Sequence, residues 1–181
     1  MSWWVWLLIA VVLVVAIWYL SSQAGRLDRL HRRVDAGHVS LQAALMRRAA
    51  VAAEVAGEML PDPSSAALIA EATKNARRTA ESDDVTRSVA ESELTLVLAG
   101  VFDDQESVQE LSEATDGELL EELASACRRV EMSRRFLNDA VRACSDVRQQ
   151  PLVRYFRLAG RTPWPQAFDM ADGPPEGFGV R

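Results

Sequence analysis

Arg48 lies between Leu45 and Ala52 on a stripe of apolar or small residues: Leu27, Leu30, Val34, Gly37, Leu41, Ala44/Leu45, Ala52, Val55 and Met59. Recurrence at three and four positions marks one face of a helix, so this guanidinium is carried toward a core. A buried arginine without a partner is very costly, and it must meet a carboxylate or several carbonyls. Glu91, Glu93 and Glu131 are the candidate partners; the alternative is a long side chain that snorkels from the seam to water.

Other groups able to do chemistry are few. His31 and His38 are the only histidines. At seven positions apart on one helix they stand about 10 Å apart along its axis, too far to share a metal ion. No Glu-x-x-His pair of the kind that builds di-iron centres is present. A Ser-His or Cys-His nucleophile would have to recruit one of these two histidines, and no G-x-x-x-x-G-K phosphate loop occurs. Cys127 and Cys144 fall on one continuous helix, about 25 Å apart along its axis, whereas a disulfide needs Cα atoms within about 7 Å. Free thiols suit a reducing cytoplasm, with an intermolecular bridge in an exported form as the alternative. Both cysteines fit as small core residues. No catalytic residue, cofactor site or metal site is therefore expected, and the chain does not read as an enzyme. A ligand-binding or enzymatic site near Arg48, with Ser133 and Asn138, is kept as the weakest alternative.

Charge is segregated. Glu81 to Glu122 holds 14 acids and one base, Arg87, while Arg128 to Arg161 holds nine arginines and three acids. Arg128, Arg135 and Arg142 repeat every seven residues as a ridge opposite the apolar seam, which places them in water. An acidic chain (net charge −6) does not predict nucleic-acid binding. The opposed patches could meet between neighbouring molecules and favour head-to-tail association.

The elements that position these groups are helices. Trp3 to Leu20 is 18 residues without a charge, about 27 Å as a helix against a hydrocarbon layer of about 30 Å. Leu, Ile and Val dominate it, with Trp3, Trp4 and Trp6 at one end and Trp18 and Tyr19 at the other, the interfacial positions of amphipathic rings. No Lys or Arg precedes the run; Arg26, Arg29, Arg32 and Arg33 follow it. That bias predicts an uncleaved single-pass anchor, N-terminus outside and the remainder in the cytoplasm. Cleavage after Ala24 is the alternative.

Between Leu20 and Leu27 only Gly25 could interrupt a helix, and no proline occurs from Gly25 to Leu60, so the anchor is expected to continue to about Leu60 with at most a kink. Asp62-Pro63 caps a second helix to about Ala80, and a third covers about Val85 to Phe102. Asp103 to Asp116 reads as a polar loop, and Thr115 to Glu118 as a capping box. The fourth helix, Glu118 to Gln149, carries the seam Leu119, Leu123, Ala126, Val130, Ser133, Leu137, Ala140, Cys144 and Val147, alternating by four and three. The chain is then expected to fray from Pro174.

The predicted fold is all-α: a transmembrane helix followed by a long antiparallel up-and-down bundle. Two layouts remain open. Either three columns form, the middle one made of the second and third helices in line, or four helices pack. On the first layout Asp103, Asp104, Glu106, Glu110 and Glu113 return beside Arg26 to Arg33. The expected divisions are residues 1–24 as anchor, 25–160 as cytoplasmic bundle and 161–181 as a tail, partly docked and then disordered.

Val34-Asp35, Leu41, Leu45 and Arg47-Arg48 resemble the first-helix signature of the LemA family. Arg134-Arg135-Phe136-Leu137-Asn138-Asp139-Ala140-Val141, Gln150-Pro151 and Phe168-Asp169 resemble its last-helix pattern and its closing phenylalanine-acid pair. The similarity covers roughly Leu27 to Asp169. The family's proline-asparagine is replaced by Ala53-Glu54, its two Tyr-Asn pairs by Leu137-Asn138 and Cys144-Ser145, a glutamate by Cys127, and its Tyr-Pro-Asp segment is missing. The chain thus resembles a divergent member. The resemblance implies a helical bundle at a bacterial inner membrane and no particular reaction. Arg47, Arg48, Arg128, Arg134, Arg135, Asn138 and Arg142 are the candidate structural or interaction residues. The expected role is a membrane-anchored scaffold or adaptor. Trp3–Leu20 meets lipid, the protein partner is unknown, and homo-oligomerisation is the alternative.

Overall fold

The computed structural model describes residues 3–179 apart from Met59, Pro61, Asp116, Arg157 and Arg161. Met59, the last residue of the first apolar stripe, and Asp116, within the expected capping box, lie outside the described residues. The described residues contain helices and no strand.

No proline interrupts the chain before Pro61, and Trp3–Glu58 forms one helix, α1, that passes through Gly25 without a break. Asp62 caps α2 (Pro63–Arg78), its carboxylate accepting from the Ser64 and Ser65 amides at 3.2 and 2.8 Å. Asp83 likewise caps α3 (Asp84–Val101), accepting from Val85 and Thr86 at 3.1 and 3.0 Å.

The segment expected to be a loop is instead a helix, α4 (Gln105–Ala114). Asp104 supplies its cap by accepting from the Ser107 amide at 2.8 Å. Acidic composition hid a short amphipathic repeat: Val108 and Leu111, three apart, pack on the core. Glu106 in the first turn also complements the helix dipole. Thr115 closes α4, its hydroxyl donating to the Leu111 carbonyl at 2.5 Å. There follow α5 (Gly117–Gln149), α6 (Pro151–Tyr155) and a short 3-10 helix, Glu176–Phe178.

By contact the chain divides into two compact units, Met1–Ala36 with Asp139–Gln166 and Gly37–Asn138 with Ala167–Arg181. The division falls within α1 and α5. In the first unit, Leu27, Val34, Ala140, Val141, Cys144, Val147 and Val153 are buried. Every residue from Trp3 to Tyr19 is exposed.

The second unit is built around Ala49, Val51, Ala52 and Val55 of α1, Ile69, Ala72 and Ala76 of α2, Leu94 and Leu98 of α3, and Leu120, Leu123 and Cys127 of α5. Small residues on α1 let the neighbouring helices approach closely; at Gly37 an added Cβ would stand 3.2 Å from the Leu137 Cα. Helices α2 and α3 do not lie in line. They fold back on each other, and the Asn75 amide donates to Glu93 at 2.9 Å across the pair. The short Thr79–Asp83 turn reverses the chain where the in-line layout needed it to continue. The acidic corner packs through Val108 and Leu111 on the Ala49–Val55 cluster of this unit.

The C-terminal segment does not fray at Pro174. Phe168, Met170, Pro175 and Gly177 are buried. The Gly177 amide donates to the Phe102 carbonyl at 3.0 Å, and Phe178 stacks on Phe102 at 5.2 Å between centroids. A Cβ at position 177 would come within 2.6 Å of that carbonyl, so only glycine fits the approach.

The three capping aspartates have pKa values below the ordinary 3.8: side-chain bonds from serine lead at Asp62 and Asp104, and the Thr86 amide leads at Asp83. A carboxylate depressed on folding stabilises above its unfolded pKa, and that contribution is lost as pH falls through the folded value. A D62A/D83A/D104A variant should therefore unfold at lower urea than the parent at neutral pH. The gap should narrow below pH 3.8, followed by circular dichroism in micelles.

Candidate functional site

The buried polar cluster of the second unit begins at Arg48, which is 1% exposed. Its place on the apolar face of α1 carries it inward, and α3 answers it. Nη2 donates to the Glu91 carboxylate at 2.8 Å and to the Glu91 carbonyl at 3.1 Å, while Nη1 donates to the Thr95 hydroxyl at 2.7 Å. Thr95 in turn donates to the Glu91 carbonyl at 3.0 Å. Glu91 and Thr95 are one helical turn apart, so one rung of α3 supplies every partner. The Arg48 Nε finds no acceptor among the described residues.

Of the three expected partners, Glu91 is the one used. Glu93 binds Asn75, and Glu131 pairs with Arg135. Snorkelling is excluded by the closed burial of Arg48. With its charge compensated and no route to solvent, this cluster is built to hold α1 against α3.

The remaining candidate residues divide between core clasp and surface. Arg47, next to Arg48, points outward and pairs with Glu122 of α5. Arg128, Arg135 and Arg142 are exposed, as the ridge predicted; Arg142 stands 3.6 Å from Asp139. Arg134 and Asn138 clasp the C-terminal segment. Arg134 forms a bidentate pair with Asp172, Nε to Oδ2 at 2.5 Å and Nη2 to Oδ1 at 2.9 Å. Asp172 is the leading cause that raises the Arg134 pKa. The Asn138 amide donates to the Phe168 carbonyl at 3.1 Å and accepts from the Phe168 amide at 3.0 Å. Arg87 covers the Phe168 ring at 5.7 Å, and the Ala171 amide donates to the Ser92 hydroxyl at 3.1 Å. Motif residues far apart in sequence thus meet in one clasp.

Sequence reasoning missed Asp172, Arg87 and the role of Arg148. Nothing in local spacing marks Asp172; only the return of the chain along α5 brings it to Arg134. In the first unit Arg148 donates to the Pro163 and Thr162 carbonyls at 2.6 and 2.8 Å, and its guanidinium lies 4.7 Å from the Trp164 ring centre. His31 Nε2 stands 3.4 Å from it. Burial raises the pKa of both thiols, against the opposing charge of Arg48 and Arg128 at Cys127 and of Arg148 at Cys144. They stay protonated near neutral pH and pack as small apolar groups. Among the described residues no group of His, Cys, Asp and Glu is arranged to hold a metal. No family model, curated protein or solved structure matches the chain.

Removing one member of the buried pair leaves the other charged and unanswered, so Glu91→Ala should lower stability by about 3–5 kcal/mol. The apolar double variant R48M/E91L should recover most of that loss. Denaturant midpoints of the full chain in micelles measure both. A double variant no more stable than Glu91→Ala would show that the pair does more than compensate its own charge.

Proposed function

We propose that this chain is a membrane-tethered helical scaffold or adaptor, resembling a divergent LemA protein, with its helical bundle at the cytoplasmic face of an inner membrane. One observation carries the reading. Seventeen consecutive residues, Trp3 to Tyr19, are exposed along α1, and α1 is long and apolar enough to cross a bilayer. Water is a poor solvent for such a surface, and a hydrocarbon layer of about 30 Å matches its length. Arg26, Arg29, Arg32 and Arg33 on the flank favour retention of that side in the cytoplasm.

The adaptor role draws support from where the polar chemistry goes. The buried arginine and the Arg134–Asn138 clasp are spent on holding helices and the C-terminal segment, while Arg128 and Arg135 stay in solvent. The opposite charges of Glu81–Glu122 and this ridge favour self-association as the second reading.

The protein should resist extraction from membranes by alkaline carbonate, and external protease should spare its helical part in sealed inverted-control spheroplasts. Release by carbonate would overturn the anchor. Crosslinking of intact membranes followed by mass spectrometry should recover specific partner proteins. Self-crosslinks between the Arg128–Arg135 face and Glu106–Glu122 would replace the adaptor reading with self-assembly.

A further inference from the structure

The first unit presents a second apolar surface, separate from the Trp3–Tyr19 run. Leu152, Tyr155 and Phe156 recur by three and four along α6 and its end, beside the buried Val153, and are 46%, 82% and 49% exposed. Tyr155 and Phe156 meet edge to face at 5.1 Å. Trp164 is exposed as well, with one face against Arg148. Exposed aromatic rings grouped with arginine are unusual on a surface that meets only water.

Burial along α1 begins just past the apolar run. Exposure is continuous to Tyr19, then Leu20, Gln23, Ala24 and Gly25 are half-buried and Leu27 is buried. Asp139–Gln166 belongs to the same unit. Leu20 to Leu27 is about 10 Å of helix, and the polar layer outside the hydrocarbon is about 5–7 Å deep on each side. On the reading of Trp3–Leu20 as the span, the part of α1 that starts at Leu20 begins at headgroup level. The charge at the end of the unit's second segment is complementary to an anionic leaflet: Gln149 to Gln166 contains three arginines and no acid, and Arg154, Arg26 and Arg29 are exposed.

We infer that Leu152, Tyr155, Phe156 and Trp164, with Arg154, Arg26 and Arg29, seat on the anionic headgroup layer and form a second, interfacial membrane contact. This rests on the reading of Trp3–Leu20 as the span. Aromatic rings take the boundary between chains and headgroups, and the arginines meet lipid phosphates.

Two single-tryptophan forms of the full chain separate the two claims. W3F/W4F/W6F/W18F keeps Trp164, and W3F/W4F/W6F/W164F keeps Trp18. Both are reconstituted into two-to-one phosphatidylcholine–phosphatidylglycerol vesicles whose acyl chains carry bromine near the carboxyl end. Trp18 and Trp164 should both be quenched, Trp164 at least twofold. Adding Y155S/F156S/R154E should abolish the Trp164 quenching and leave Trp18 quenched in its own form. Quenching of Trp18 without Trp164 overturns the interfacial contact and leaves the span intact. Quenching of neither overturns both. Protection of Trp164 that grows with protein-to-lipid ratio, in place of quenching, would assign the surface to a second copy and overturn the inference.

Discussion

A guanidinium taken out of water keeps its charge only where a carboxylate and hydrogen-bond acceptors meet it at contact distance. Arg48 imposes that condition on the second unit. It sits at the middle of the small-residue face of α1, and Glu91 and Thr95 lie on the one turn of α3 that can answer it. A shift of α3 by a single residue would turn Glu91 away and leave two buried charges apart. The pair therefore sets the register of α3 on α1, with Ala49, Val51, Ala52 and Val55 packed around it. Such a pair contributes little net stability compared with apolar residues of the same volume; its effect is to penalise alternative registers.

From that register the rest of the unit follows. Because α3 is held against α1, α2 folds back on α3, and the α4 turn brings Val108 and Leu111 onto the same core. The C-terminal segment then closes over the assembled helices through side chains that serve the backbone directly. Asn138 offers Phe168 the paired donor and acceptor that a neighbouring strand would, and Arg134 grips Asp172 in a planar fork. These bonds answer polar groups that an irregular segment would otherwise carry into the protein without partners.

The first unit answers a different solvent problem. Its Cys144 and valines pack a small core, and Arg148 satisfies two carbonyls of the segment after α6 while lying over Trp164. On the proposed reading lipid covers what this core does not, first along Trp3–Tyr19 and then at Tyr155 and Phe156. The charge pattern of the chain agrees with that division, since its arginines flank the apolar surfaces and its acids concentrate around α4.

Periodicity in the sequence determined α1, α2, α3 and α5 and the inward face of each long one. Of the nine seam residues of α5, Leu119 alone is half-buried and the other eight are buried. The cap at Asp62 was legible because a cap is a local bond over two or three residues. Arg48 was legible as buried, since its position on the stripe is a matter of spacing. Its choice of Glu91 over Glu93 and Glu131 was not, because three carboxylates of equal chemistry differ only in where tertiary packing puts them. The return of α2 on α3, the helix hidden in the acidic segment and the docking of Gly177 against Phe102 were decided the same way. Each depends on contacts between residues distant in the chain, whose free energy no local pattern records.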